Sequence, residues 1–170
     1  MKQKLKLALV GAGEGGQYCY APYAKMHGYE IEFVAVADPH KGRREKFVQD
    51  YHVPAEGVFE TAEQFFARPR MADAVLICTQ DSQHYAYACQ AIDLGYSILL
   101  EKPISPSVRE CLDLQRRAEE KGTQIMVCHV MRYTKFYRKL KELIDSGVIG
   151  DVVHVTHTEN VAYWHYAHSY

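Results

Sequence analysis

The stretch "LKLALVGAGEGGQY" constrains this chain more than any other. An apolar run over residues 5–10 reads as a strand, and it breaks into glycines before a helical segment begins. Gly11, Gly13 and Gly16 are spaced as G-x-G-x-x-G. The motif carries weight because a strand precedes it and a helix follows it. In that setting Gly11 makes the tight turn, Gly13 lets the backbone approach a diphosphate, and Gly16 lets helix and strand pack closely. The anion would rest on free N–H groups at the positive end of the helix. Glu14 and Gly15 complete the loop and count with it as cofactor-facing. The alternative is a glycine-rich strand–helix turn with no ligand. A methyltransferase loop has the same outline, so the glycines alone do not choose the cofactor.

The rest of the chain alternates short aliphatic runs with longer amphipathic ones. Strands are expected at 5–10, 31–37, 57–59, 74–78, 96–100 and 123–130. Helices are expected at 14–28, which must accommodate Pro22, at 41–52, and at 61–67 with Thr61 as cap. Three more are expected at 82–95, with Ser82 as cap and Gly95 as stop, at 105–122, ended by Gly122, and at 134–147. The last carries Phe136, Leu140, Leu143 and Ile144 on one stripe. "DVVHVTHT" from 151 to 158 reads as the start of one more strand. Strands separated by helices imply βαβ units with right-handed crossovers. The expected fold is α/β, a Rossmann-type doubly wound parallel sheet.

Composition narrows the function classes. With 48% apolar and 24% charged residues, the chain can build a globular core. A net charge of −1 offers no general attraction to nucleic acid or to an anionic membrane. No signal peptide is recognisable, and no run reaches the ~18 apolar residues of a membrane span. The five cysteines are scattered, odd in number and free of C-x-x-C pairs. These features point to a reducing, cytoplasmic setting.

Asp38 ends the second strand, ~25 residues beyond Gly13 and near the ~20-residue offset of the dinucleotide fingerprint. Its carboxylate can accept both ribose hydroxyls of NAD and would repel the 2′-phosphate of NADP. Lys41, Arg43 and Arg44 follow closely, and an arginine such as Arg43 turned to the ribose would accept that phosphate. NAD is therefore favoured, with NADP open. The alternative for Asp38 is a turn or helix-cap aspartate in "ADPH".

Ligands of open α/β sheets bind beyond the carboxyl ends of the strands. "TQDSQH" and "EKP" stand at two such ends. Thr79 and Gln80 should lie against the cofactor, with His84 in the following turn. Glu101 and Lys102 beside a buried "ILL" are costly unless they face a cleft and find partners. The alternatives are solvated strand-end charges for Glu101 and Lys102, and a capped surface or core histidine for His84.

The glycine loop, Asp38, "TQDSQHYAYACQAIDLGYSILLEKPIS" and "HVMRYTKFYRKLKELIDSGVIGDVVHV" together resemble the glucose–fructose oxidoreductase / inositol dehydrogenase (Gfo/Idh/MocA) family. The likeness runs along essentially the whole chain, and Glu-Lys-Pro is its most specific element. It implies a nicotinamide-dependent oxidoreductase acting on a sugar, cyclitol or related polyol. It also implies that Lys102 lies by the nicotinamide and substrate as the catalytic lysine, that the Lys102–Pro103 bond is cis, and that Arg132 and Tyr133 form an Arg-aromatic pair near the cleft.

Members of that family have a second, mostly antiparallel domain that supplies the usual acid–base residues. Here residues 1–150 would form the dinucleotide domain, and 151–170 only the start of a truncated second one. The chain alone is then expected to bind cofactor without efficient turnover. Tyr163, Trp164 and His165 are the expected substrate contacts, and an unpaired strand from 151 would favour a homo-oligomer. No metal site is expected: the histidine pairs in "HVTH" and "HYAH" are spaced for a helix, while His154 and His157 read as strand-borne. A stand-alone dinucleotide-binding or regulatory module remains the competing class.

Overall fold

A computed structural model describes residues 3–163. It divides into two compact units, residues 1–129 and 130–170. The division falls before the expected boundary at 150.

The first unit is a six-stranded, all-parallel sheet. Its strands are β1 (Leu5–Val10), β2 (Ile31–Ala37), β3 (Val58–Phe59), β4 (Ala74–Ile77), β5 (Ser97–Leu100) and β6 (Ile125–Val127), ordered β3-β2-β1-β4-β5-β6. All five pairings are parallel. Order reverses between β1 and β4, so the loops leaving their carboxyl ends diverge and open a crevice there.

Strand alternation explains why both faces are covered. Ala8 and Val10 point into one core with Val75, Ile77, Ile98 and Leu100, beneath α3 (Ala62–Phe66), α4 (His84–Asp93) and α5 (Val108–Lys121). Leu7 and Leu9 point the other way, with Phe33, Val36 and Phe47, beneath α1 (Pro22–Met26) and α2 (Lys41–Tyr51). The aliphatic runs of the central strands are nearly continuous because successive residues enter one core or the other.

Local chemistry sets the helix ends. Thr61 caps α3 by accepting from the Gln64 N–H at 3.2 Å. Gly122 ends α5 with φ +64°, a left-handed conformation that glycine adopts without strain. Ser82 does not cap α4: a 3₁₀ turn over Asp81–Gln83 comes first, capped at Gln80, and α4 starts at His84.

The helix expected over 14–28 is split. Residues Gly15–Tyr20 form a π-helical turn closed by Ala21 N–H on Gly16 O at 3.1 Å, and α1 begins at Pro22. Proline has no N–H to continue an i→i−4 ladder, and its ring crowds the preceding turn, so it takes the first helical position instead.

The second unit holds a 3₁₀ turn, Val130–Tyr133, and α6 (Lys135–Asp145), capped by Thr134. Its apolar stripe is present but Phe136, Leu140, Leu143 and Ile144 are all exposed. The strand expected from 151 does not form; residues 152–162 have no regular structure, and Val153 is 94% exposed. Alternating valines supply strand propensity, but a strand needs a hydrogen-bonding neighbour, and none of the described strands pairs with this segment. Within this unit His157 Nε2 lies 3.3 Å from the Tyr137 hydroxyl. Trp164 and His165 lie outside the described residues.

Candidate functional site

The sheet register brings four loops together. Gly11 N–H donates to Ala37 O at 2.8 Å, and Cys78 N–H to Val10 O at 2.8 Å. Glu101 N–H donates to Ile77 O at 2.9 Å. The residues just past β1, β2, β4 and β5 thus stand side by side at the crevice: the glycine loop, Asp38, Cys78–Gln80 and Glu101–Pro103.

Three glycines answer to different causes. Gly11 has φ +93°, and a Cβ there would sit 2.5 Å from the Cys78 carbonyl oxygen. Gly16 packs so tightly that a Cβ would meet Gly11 O and lie 2.9 Å from Leu9 Cδ1. Protein packing therefore requires both. A Cβ on Gly13 would meet nothing within 4 Å among the described residues. The fold does not need a glycine at 13; a ligand lying on the loop would.

Asp38 is buried, and each of its carboxylate oxygens accepts from the main chain. Its Oδ2 accepts from Ala12 N–H at 2.7 Å, inside the glycine loop, and its Oδ1 from His40 N–H at 2.8 Å. It is thus a turn aspartate that pins the loop, and two of its four lone-pair positions remain for a ribose.

The basic cluster sorts itself by burial. Arg44 turns inward, with Nη1 donating to Asp38 O at 2.6 Å and Nη2 to Glu60 Oε1 at 3.2 Å. Lys41 pairs with Glu45 at 3.7 Å. Arg43 is exposed, and its side chain makes no ion pair among the described residues.

His84, expected at the cofactor flank, is completely buried. Its Nδ1 lies 2.6 Å from Pro103 O and its Nε2 3.1 Å from Thr79 O. It ties the loop after β4 to the loop after β5 from beneath and presents no free nitrogen to the crevice. The core-histidine alternative is the one realised. Thr79 keeps its place at the end of β4, and its Oγ1 is a buried hydroxyl without a partner among the described residues. Gln80 is exposed at the start of the 3₁₀ turn.

The Glu101–Pro103 turn has a cis Lys102–Pro103 peptide. The Lys102 side chain is exposed at the rim, while its N–H donates to Glu101 Oε2 at 2.8 Å. Glu101 Oε1 accepts from the hydroxyl of Tyr20. Nothing in the sequence marks Tyr20, a tyrosine four residues past a glycine, as the partner of a residue 81 positions away. Burial pushes the Cys78 and Cys128 thiols up, so both stand as neutral wall residues and not as nucleophiles.

Arg132 and Tyr163, the described residues expected on the substrate side, belong to the second unit, and both are exposed. The site above is built from the first unit alone. No helix among the described residues is long and apolar enough to cross a membrane.

A parallel sheet of this order with a glycine loop at its switch point defines a Rossmann-type domain. The chain belongs to the oxidoreductase family with the NAD-binding Rossmann fold (GFO_IDH_MocA), whose profile matches residues 5–129. The inositol 2-dehydrogenase of Pseudomonas syringae pv. syringae (strain B728a) is 32% identical over 157 residues, which cover 90% of this chain and 46% of that enzyme. The scyllo-inositol 2-dehydrogenase (NAD(+)) of Bacillus subtilis (strain 168) is 29% identical over 156 residues, covering 91% and 44%. The chain thus spans about half the length of the curated relatives it matches. Among solved structures, the scyllo-inositol dehydrogenase of Lactobacillus casei, with bound NAD(H) and scyllo-inositol, shares the fold at TM-score 0.78 and 22% identity, over 88% of this chain and 43% of that one.

Proposed function

We propose that the first unit binds a nicotinamide dinucleotide, NAD in preference to NADP, and that the whole protein moves hydride between it and a hydroxyl-bearing carbon of a cyclitol, sugar or related polyol. Gly13 carries the reading: packing against the described residues does not explain a glycine there, and it faces open space where a diphosphate would lie. The Thr79 hydroxyl, buried without a partner among the described residues, is a second group that suits a polar ligand.

Gly13 to Gly16 would hold the diphosphate on main-chain N–H groups, those of Gly11 and Ala12 being bonded to Ala37 O and Asp38. Asp38 would accept the ribose hydroxyls with its remaining lone pairs. A 2′-phosphate would meet that carboxylate, and Arg44 is held away from it by Asp38 O and Glu60. Thr79, Gln80, Glu101 and Lys102 would line the nicotinamide half. When bound, the cofactor supplies the hydride acceptor or donor. Lys102, at the rim, would hydrogen-bond the substrate hydroxyl and favour its alkoxide character as the C–H bond breaks.

Parallel thermal-shift titrations with NAD and NADP test the reading. Saturation at 100 Kd stabilises by about 2.7 kcal/mol, roughly 5–10 °C for a chain of this size. NAD is expected to give that rise and NADP little. Equal shifts would remove Asp38 as the discriminator, and no shift with either would remove the dinucleotide site.

In the whole oxidoreductase, Lys102→Met is expected to lower kcat by about a hundredfold or more, the scale of one lost proton-handling group, with NAD affinity nearly unchanged. Parallel loss of NAD affinity would give Lys102 a structural role instead.

A further inference from the structure

Tyr20 is the residue the proposed chemistry leaves unused. It closes the π-helical turn that follows the glycine loop, and such turns recur at functional sites. Its hydroxyl donates to Glu101 Oε1, and the other oxygen of that carboxylate takes the Lys102 N–H at 2.8 Å. A Cβ on Gly15 would lie 4.0 Å from Glu101 Oε1, so the carboxylate stands directly over the glycine loop. A continuous chain of contacts therefore runs from the phosphate-binding turn through Tyr20 and Glu101 to the main chain of Lys102.

We propose that Tyr20 is a positioning residue, which fixes the Glu101 carboxylate and through it the Lys102 turn against the nicotinamide half of the cofactor. The proposal rests on the dinucleotide reading above. Tyr20 and Glu101 touch different loops, and among the described residues theirs is the hydrogen bond that runs directly from the helical turn after the glycine loop to the turn that carries the lysine. Without it the carboxylate keeps its bond to Lys102 N–H but loses its anchor on the π-helical turn, and the Lys102 turn can drift relative to the loop. Burial, with Cys128 and the Glu101 carboxylate beside it, holds the Tyr20 phenol above its ordinary range, so it remains a donor at every working pH.

Two ligands separate positioning from general support. ADP-ribose reads the diphosphate and adenosine half; NAD adds the nicotinamide. Calorimetric titration of the 170-residue protein with each is the measurement. Tyr20→Phe keeps the ring and removes the hydroxyl. It is expected to weaken NAD about tenfold, which is ~1.4 kcal/mol, and to leave ADP-ribose within about twofold. Glu101→Gln gives a second route should Tyr20→Phe fold poorly. Its amide can still accept from Tyr20 only by turning its NH₂ toward the Lys102 N–H, so the same selective loss of NAD is expected. The double variant should lose no more than the worse single one, since both act through one chain of contacts. Equal weakening of both ligands, or no change in either, would overturn the positioning role while leaving the dinucleotide site in place. Wild-type protein that binds neither ligand would overturn the dinucleotide reading and this inference with it.

Discussion

Gly13→Val is expected to abolish dinucleotide binding and leave the fold intact. The valine Cβ meets no atom of the other described residues within 4 Å, chain neighbours aside, and the backbone at 13 is not in the left-handed region. Its stability cost should be under about 1 kcal/mol, the range of surface and glycine-replacement effects. The same branched side chain fills the space over the loop, where N–H groups must come within hydrogen-bonding distance of a diphosphate. Kd for NAD should rise by about a hundredfold or more, since each lost 1.4 kcal/mol is tenfold. Gly16→Val is the contrast: its side chain runs into Gly11 O and Leu9, so it should unfold the unit before binding can be measured. Calorimetry on Gly13→Val, alongside a melting curve, decides the matter. Undiminished NAD affinity would mean that the ligand lies elsewhere.

Asp38→Ala is expected to lose both stability and binding. Removing a buried carboxylate leaves the Ala12 and His40 N–H groups without their acceptors. A buried donor left unmade costs about 1–3 kcal/mol; the Ala12 bond is buried and the His40 bond part-buried, so a total near 2–4 kcal/mol is expected. That corresponds to a fall in Tm of roughly 5–15 °C. The glycine loop, released from Asp38 at Ala12, should also bind NAD poorly. An Asp38 that served only the ribose would give a variant with the wild-type melting temperature and weakened NAD affinity. A differential scan with and without NAD distinguishes the two. The pairing of variants is informative: Gly13→Val separates binding from folding, and Asp38→Ala shows that the same loop joins them.

How far the sequence reached depends on the range of the interaction involved. The bounds of β1 and β2 match the apolar runs at 5–10 and 31–37, because those runs are set by burial on both faces of one sheet. Thr61 and Gly122 were legible as helix ends because capping acts within a few residues. Ser82 misled for the same local reason: it is a good cap residue, but the 3₁₀ turn at Asp81–Gln83 moves the start of α4 to His84. The tail failed differently. Val152, Val153 and Val155 carry strand propensity, and propensity does not supply a partner for the ladder.

The candidate site divides in the same way. The types and order of residues along the chain already specify a glycine loop after a strand, an acid after the next, and a Glu-Lys-Pro turn after a later one. From these the class of ligand follows, since main-chain N–H groups at a helix start suit a diphosphate wherever that pattern occurs. Which side chains face the ligand is a matter of packing across tens of residues. His84 goes to the core between Thr79 O and Pro103 O, Arg44 folds back on Asp38 O and Glu60, and Tyr20 reaches Glu101. Each of these depends on how helices settle against the sheet, and periodicity along the chain carries no record of it. The sequence alone determined the sheet, the loop and the chemistry at its mouth. The tertiary structure decided which polar groups are spent on holding that mouth in shape and which are left for a ligand, because a buried donor or acceptor bonds whatever the folded chain brings near it.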